Sequence, residues 1–159
     1  MNLFIMRHGD AVLQASSDAQ RELSELGILE AKVMAKWLKI ENQAIDLILV
    51  SPYIRAQQTA KALLDELQVE IALETISFIT PEGNAKDVHD YIDGLLASSS
   101  YQNILIVSHM PLVCYLTAEL TAESHCPLFQ TASIAKIEYD TQMMSGSLTK
   151  MVSPDDFAR

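Results

Sequence analysis

A side chain that is to attack phosphorus needs a free lone pair, a fixed position and cations around the phosphoryl oxygens, and three segments of this chain supply such groups. Arg7-His8-Gly9 directly follows the apolar run 3–6; Ser51-Pro52 follows the apolar run 47–50, with Arg55 close behind; Ser108-His109 follows the apolar run 104–107. An imidazole attacks through a neutral ring nitrogen, and its ordinary pKa of about 6.5 makes that form available near neutrality. Neighbouring arginines should lower the pKa of His8 further and keep it unprotonated. Guanidinium groups at Arg7 and Arg55 offer forked donors that match a phosphoryl group and keep their charge. If the three runs are parallel strands, these groups meet at one sheet edge, because open α/β sheets bind ligands beyond the carboxyl ends of their strands.

The elements needed to hold the groups there can be read from periodicity. Leu26, Leu29, Val33, Met34, Trp37 and Leu38 recur at helical spacing after Ser24 as N-cap, which predicts a core-facing amphipathic helix. A second helix is expected over 52–67, with Ser51 as cap, Pro52 in the first turn and a stripe of Ala56, Ala60, Leu63, Leu64 and Leu67. Arg55 would lie in its first turn, and helical side chains lean toward the N-terminus, so Arg55 would point back toward His8. A short strand is expected over 76–79, then a turn over 80–84, a helix over 85–96 and another from Pro111 to about Leu120. Segments 133–139 and 147–152, joined by a turn containing Gly146, predict an antiparallel hairpin at the sheet edge. The expected fold is one domain over residues 1–159, a three-layer α/β/α arrangement whose sheet is mostly parallel with an antiparallel edge.

Composition narrows the partners. With 11 Lys and Arg against 21 Asp and Glu, a net charge of −10 disfavours nucleic acid, which needs a broad basic surface. Three of the four arginines, Arg7, Arg21 and Arg55, fall at the motif positions, so a small cationic pocket in an acidic protein is the sharper reading. Segment 94–118 has no charged side chain but is interrupted by Ser, Gln-Asn and His-Met-Pro, which argues against a membrane span. Cys114 and Cys126 are too few for a disulfide framework and lack a Cys-x-x-Cys spacing, so they read as small buried or neutral residues. The first strand begins too early to leave room for a removable signal, and a cytoplasmic location is expected.

Taken in order, Met6-Arg7-His8-Gly9-Asp10, Asp18 with Arg21, Leu23-Ser24 with Gly27, Ser51-Pro52 to Thr59 and Ser108-His109 resemble the histidine phosphatase superfamily, whose fold is called phosphoglycerate mutase-like. The compact length and the start motif look most like its SixA-type phosphohistidine phosphatases. The resemblance implies a hydrolase of the phosphatase class without metal or other cofactor. It implies His8 as the nucleophile that forms a phospho-enzyme, Arg7 and Arg55 as phosphoryl clamps, and His109 as a further phosphoryl contact and proton shuttle. Arg21 would reach over the pocket to hold phosphate or substrate. Ser51 reads first as a helix cap and is kept beside Arg21 as a candidate substrate-binding residue. Neither Ser51 nor Ser108 sits in a Gly-x-Ser-x-Gly elbow, which removes a serine hydrolase.

Ester-cleaving members of the superfamily commonly place an acid after a middle strand to protonate the departing oxygen. Here Glu82 is the only nearby carboxylate, in a turn without the expected surroundings. Phosphohistidine tolerates that lack, because its leaving imidazole can take a proton on its other nitrogen. The implied substrate is a phosphohistidine-containing phosphotransfer domain or phosphocarrier protein, which the short intervening segments and an open pocket would admit. Alternatives are a small-molecule phosphomonoesterase or phosphomutase using Glu82 or another acid, and a non-catalytic phosphate-binding module. A metal centre on His8, Asp10 and His109 is disfavoured by the two arginines and by the absence of a dense ligand motif.

Overall fold

A computed structural model describes residues 1–41, 44–123 and 125–157. Its sheet has six strands, β1 (Asn2–Arg7), β2 (Leu47–Val50), β3 (Ala72–Thr75), β4 (Asn103–Ser108), β5 (Ile134–Asp140) and β6 (Ser145–Val152), in the spatial order β3-β2-β4-β1-β5-β6. The first four run parallel; β5 lies antiparallel to β1 and β6 antiparallel to β5. Helices α1 (Glu25–Ile40), α2 (Ile54–Leu67), α3 (Ala85–Ala97) and α4 (Leu112–Thr121) complete the three layers expected from the sequence.

The central strands are apolar on both faces because each face carries a helical layer. Leu3, Ile5, Leu47, Leu49, Ile104 and Ile106 join the core that includes Val88 and Ile92 of α3 and Leu112 and Leu116 of α4. Their neighbours along the chain, Phe4, Met6, Ile48, Val50, Leu105 and Val107, join the opposite core with Met34 and Leu38 of α1 and Ala60 and Leu63 of α2. A one-residue slip of any of these strands would exchange the two sets. The registers Met6 against Val107 and Val50 against Val107 therefore fix where β1, β2 and β4 end, side by side.

Several local expectations change. Leu26 and Leu29 of α1 are exposed, and its buried face is Gly27, Ala31, Met34, Ala35, Trp37 and Leu38. Small residues at 27 and 31 let the start of α1 press against the segment after β1: a Cβ on Gly27 would stand 2.1 Å from the Asp10 carbonyl oxygen, and one on Gly9 would stand 2.6 Å from the Gly27 carbonyl oxygen. Ser24 caps α1 as expected, accepting from Gly27 N, and also donates to Asp10 Oδ2 at 2.6 Å. Residues 76–79 are a turn and not a strand; β3 precedes them as an exposed edge, and Ile76 and Ile79 are buried because the turn folds them into the core. Gly146 lies within β6 opposite Tyr139, and the hairpin turn is formed by 141–144. Ser51 does not cap α2, whose N-cap residue is Tyr53.

Cys114 and Cys126 form a disulfide, in place of the unpaired residues expected; counting cysteines could not reveal that α4 and the loop after it bring them together. The uncharged segment 94–118 becomes the end of α3, strand β4 and much of α4, and no described helix is long and apolar enough to cross a membrane.

The close approach at Gly27 makes a stability prediction. Gly27→Ala should destabilise by on the order of 2 kcal/mol or more in denaturant unfolding, since backbone on both sides must shift. Gly94→Ala, inside α3 with open space around it, should instead stabilise by about 0.4–1 kcal/mol. Equal effects of the two substitutions would contradict the packing described.

Candidate active site

His8, Ser51 and His109 each occupy the first position beyond a strand, on β1, β2 and β4, and adjacency of those strands brings them together. The His8 and His109 rings are 5.1 Å apart between centroids, and the Tyr53 ring is 5.0 Å from His109. All of these polar groups are withdrawn from solvent: His8 is 7% exposed, His109 1%, Arg55 3% and Ser51 not at all.

The backbone and both ring nitrogens of His8 are fixed. Its N–H donates to Ser108 O at 3.0 Å, and its carbonyl accepts from Ala132 N at 3.0 Å. Its Nδ1 lies 2.7 Å from Gly9 O, and a carbonyl only accepts, so Nδ1 carries the proton. Nε2 is then the lone-pair nitrogen, and it accepts from Arg55 Nε at 3.1 Å. Arg55 comes from the first turn of α2, as the helical spacing predicted. Thr59, one turn later, donates to the Arg55 carbonyl at 2.7 Å and accepts from Gly9 N at 3.1 Å, so it joins α2 to the loop after β1.

Arg55 does not stand as a free fork. Its Nη1 donates to Asp18 O at 2.6 Å and its Nη2 to Asp18 Oδ2 at 3.1 Å, which leaves Nε directed at His8. Arg21 also meets Asp18, through Nη1 at 3.2 Å, while its Nε donates to Val12 O at 2.8 Å. Burial acts to raise the Asp18 pKa, but hydrogen bonds from Arg21 and Arg55 outweigh it and hold the carboxyl below its ordinary range. Arg7 donates from Nη1 to Phe129 O at 2.8 Å.

Among the described residues, two buried side-chain nitrogens have no hydrogen-bond partner, Arg7 Nε and His109 Nδ1. Arg7 Nε is a donor in every state, and a buried donor without an acceptor is costly, on the order of 1–3 kcal/mol, so its retention suits a site that takes an anionic guest.

Both histidines are held neutral. Burial is the largest cause for His8, whose pKa falls to about 4, with Arg55, Arg7 and Arg21 lowering it further and the Gly9 carbonyl opposing. The arginines anticipated from the sequence thus act in the expected direction but come second to desolvation. His109 falls to about 3, again first through burial, then through His8 and Arg55. A neutral imidazole with its lone pair beside cations can attack an electrophile, and the cations can take up the charge of a phosphoryl group.

The structure brings His8, Arg55, His109 and Ser51 into one cluster, sets Arg7 close enough for its charge to act on both histidines, and places Arg21 at the edge through Asp18. It does not join Glu82 to them: that side chain is exposed and makes no hydrogen bond or ion pair among the described residues. The sequence reading missed the parts that act through the backbone or at long range. Phe129 contributes a carbonyl, which no residue type announces. Glu30 accepts from Asp10 N at 2.8 Å and from Thr131 Oγ1 at 2.8 Å, bracing two loops from α1. Thr59 had a usable signal, four residues after Arg55 on one helix face. A cavity of about 420 Å³ lined by Leu38, Ile45, Leu67 and Ile71 lies at the opposite end of the sheet, before the start of β2, and contains none of these groups.

The chain is similar in sequence and fold to known proteins. The model of the histidine phosphatase superfamily (branch 1) matches residues 3–76. The chain is 39% identical over 154 residues to phosphohistidine phosphatase SixA of Escherichia coli (strain K12), covering 97% of this chain and 94% of that one. It is 40% identical over 147 residues to the SixA homolog of Haemophilus influenzae, covering 88% and 89% of the two chains. Its fold matches the structure of the protein histidine phosphatase SixA complexed with tungstate at a TM-score of 0.93 and 38% identity, over 99% of both chains.

The depressed histidine pKa values set a pH dependence of stability. In the unfolded chain both rings bind protons near the ordinary 6.5, while the folded chain resists until about 4 and about 3. Stability should therefore be flat above about 6.5 and fall as pH drops from there through about 4, because the unfolded state binds more protons in that window. Urea midpoints across the window measure this, and His8→Asn should flatten part of the slope. Midpoints that stay constant down to about pH 4 would contradict the burial of neutral rings.

Proposed function

The chain belongs to the histidine phosphatase superfamily, and we propose that it is a phosphohistidine phosphatase whose nucleophile is His8 Nε2. The observation that carries this reading is the fixed tautomer of His8, with Nδ1–H on Gly9 O and the Nε2 lone pair among cations.

The ring can complete both displacements without exchanging that proton. In the first, Arg55 Nε–H gives up its bond to Nε2 for a phosphoryl oxygen, and the freed Nε2 lone pair forms a bond to phosphorus while the bond from phosphorus to the substrate imidazole breaks. A substrate ring protonated on its other nitrogen leaves as neutral imidazole. Phospho-His8 is then an imidazolium whose remaining N–H still faces the Gly9 carbonyl, which offsets its charge. In the second, water forms the new bond to phosphorus, the bond to Nε2 breaks and the electron pair returns to the ring. His8 is again the neutral Nδ1–H tautomer, and orthophosphate leaves with the water oxygen.

The cations supply the rest. Arg55 Nε, found at Nε2, and Arg7 Nε, buried and without a partner among the described residues, donate to the phosphoryl oxygens as charge spreads over them. Arg21 assists at the edge through Asp18. The SixA structure named above holds tungstate, an oxyanion of phosphate-like shape, and phosphate is the corresponding ligand here. No metal or organic cofactor enters any step of this scheme.

Carboxylate placement favours phosphohistidine over an ester. Among the described residues, Asp18 is the only carboxylate bonded to Arg7, His8, Arg55 or His109, and two arginines hold it ionised, so it has no proton to give an alkoxide. Glu82 stands outside the cluster. The substrate is accordingly a protein carrying phosphohistidine, of the phosphotransfer-domain or phosphocarrier kind, met in the cytoplasm.

Orthophosphate release from a phosphohistidine phosphotransfer domain and from a panel of phosphosugars, measured side by side, tests the assignment. The protein substrate should be strongly preferred, and His8→Ala should lose at least about 10³-fold in rate. Glu82→Gln should stay within about twofold of the parent, against the ~10²- to 10⁴-fold loss expected of a general acid. Preference for phosphosugars together with a large Glu82→Gln effect would replace this reading with a phosphomonoesterase.

A further inference from the structure

We propose that Ser51 is a positioning residue that selects the tautomer of His109: its hydroxyl donates to His109 Nε2 and leaves the ring proton on Nδ1. The role of that proton as a donor to the phosphoryl group rests on the function proposed above; the tautomer itself does not.

Two serines stand at the strand ends, Ser108 as the last residue of β4 and Ser51 just beyond β2, and their hydroxyls do different things. Ser108 Oγ donates to Ile79 O at 2.7 Å, a bond that ties β4 to the turn after β3. Ser51 Oγ lies 2.7 Å from His109 Nε2 and accepts from Tyr53 N at 3.2 Å. A hydroxyl has one hydrogen and two lone pairs. Tyr53 N–H occupies a lone pair, so the sense of the bond to His109 decides whether the hydroxyl hydrogen has an acceptor. If Nε2–H donated to Oγ, that hydrogen would have no acceptor among the described residues in a fully buried position. His109 Nδ1 would then also be a bare lone pair, presented in the same cluster where anionic oxygens are to sit. If Oγ donates to Nε2, the hydroxyl is satisfied, and the one unpartnered atom of the ring is an Nδ1–H donor. Only the second arrangement makes His109 attractive to an oxyanion while it stays neutral.

Ser51 is rigid enough to enforce the choice. Its N–H donates to Val107 O at 3.1 Å and its carbonyl accepts from Gln57 Nε2 at 2.8 Å, so the corner between β2 and α2 is pinned on both sides of the hydroxyl. The two catalytic-site imidazoles are thereby set by different devices to the same form, with a backbone carbonyl accepting from Nδ1 of His8 and a serine hydroxyl donating to Nε2 of His109. The consequences differ. His8 turns a lone pair toward the cluster, and His109 keeps an N–H available.

Long-range ¹H–¹⁵N correlation of the histidine rings in the ligand-free, ¹⁵N-labelled protein reads the tautomer directly. In the parent protein His109 should carry its proton on Nδ1. Ser51→Ala should move the ring toward the Nε2–H form, and Ser51→Thr, which keeps the hydroxyl, should restore it. Turnover of a phosphohistidine protein should fall in Ser51→Ala on the order of 10- to 100-fold in kcat with KM little changed, and recover in Ser51→Thr. A parent His109 protonated on Nε2, or a tautomer unaltered in Ser51→Ala, overturns the proposal whatever the substrate proves to be. A tautomer shift with no change in kcat overturns the positioning role and leaves the phosphatase reading intact. Should Ser51→Ala fail to fold, the parent spectrum alone still decides the tautomer.

Discussion

An imidazole shut away from water beside guanidinium groups has one favourable state, the neutral one, and the site depends on that constraint. Desolvation and the arginines both oppose a charge on His8, and the Gly9 carbonyl decides which nitrogen keeps the proton. The same burial that lowers basicity also preserves the lone pair at neutral pH. On the function proposed for it, the nucleophilicity of His8 follows from packing before it follows from any partner base.

That packing is the work of the sheet. Parallel registers end β1, β2 and β4 at one level, so residues 8, 51 and 109, distant in sequence, become neighbours. Helix α2 then carries Arg55 back over His8, and Thr59 one turn later ties the same helix to Gly9. Helix α1 closes the other side through the contact of Gly27 with Asp10, which admits no side chain. Asp18 balances the arrangement by occupying both Nη groups of Arg55 and leaving Nε on the histidine. These elements together hold the polar groups of the proposed site in fixed positions, which is what an electrostatically organised site requires.

Much of this was legible in the sequence because it follows from short-range rules. Apolar runs followed by polar residues marked the strand ends; Ser24 and the helical spacing marked α1; the first-turn position of Arg55 gave its direction. The failures have physical causes. Leu26 and Leu29 fit a helical stripe, but the true buried face is set by Gly27 and Ala31, whose value lies in being small where two backbones approach. Ile76 and Ile79 are apolar because a turn buries them, and periodicity over four residues cannot separate that from a strand. Ser51 before a proline has the form of a helix cap, and only the tertiary position of His109 shows where its hydroxyl goes. The Phe129 carbonyl and the Cys114–Cys126 disulfide depend on the path of one loop, for which no local pattern exists.

The central claim is that His8 Nε2 is the atom that takes the phosphoryl group, and the attachment site of a trapped phospho-enzyme tests it most directly. The protein, ¹⁵N-labelled on histidine and loaded from a phosphohistidine donor, would be quenched in alkali and examined by peptide mass spectrometry and by ³¹P–¹⁵N coupling. Phosphate on His8 through Nε2, and nowhere else, is the result the account predicts. Phosphate on His8 Nδ1, on His109 or on the Ser51 hydroxyl would contradict it.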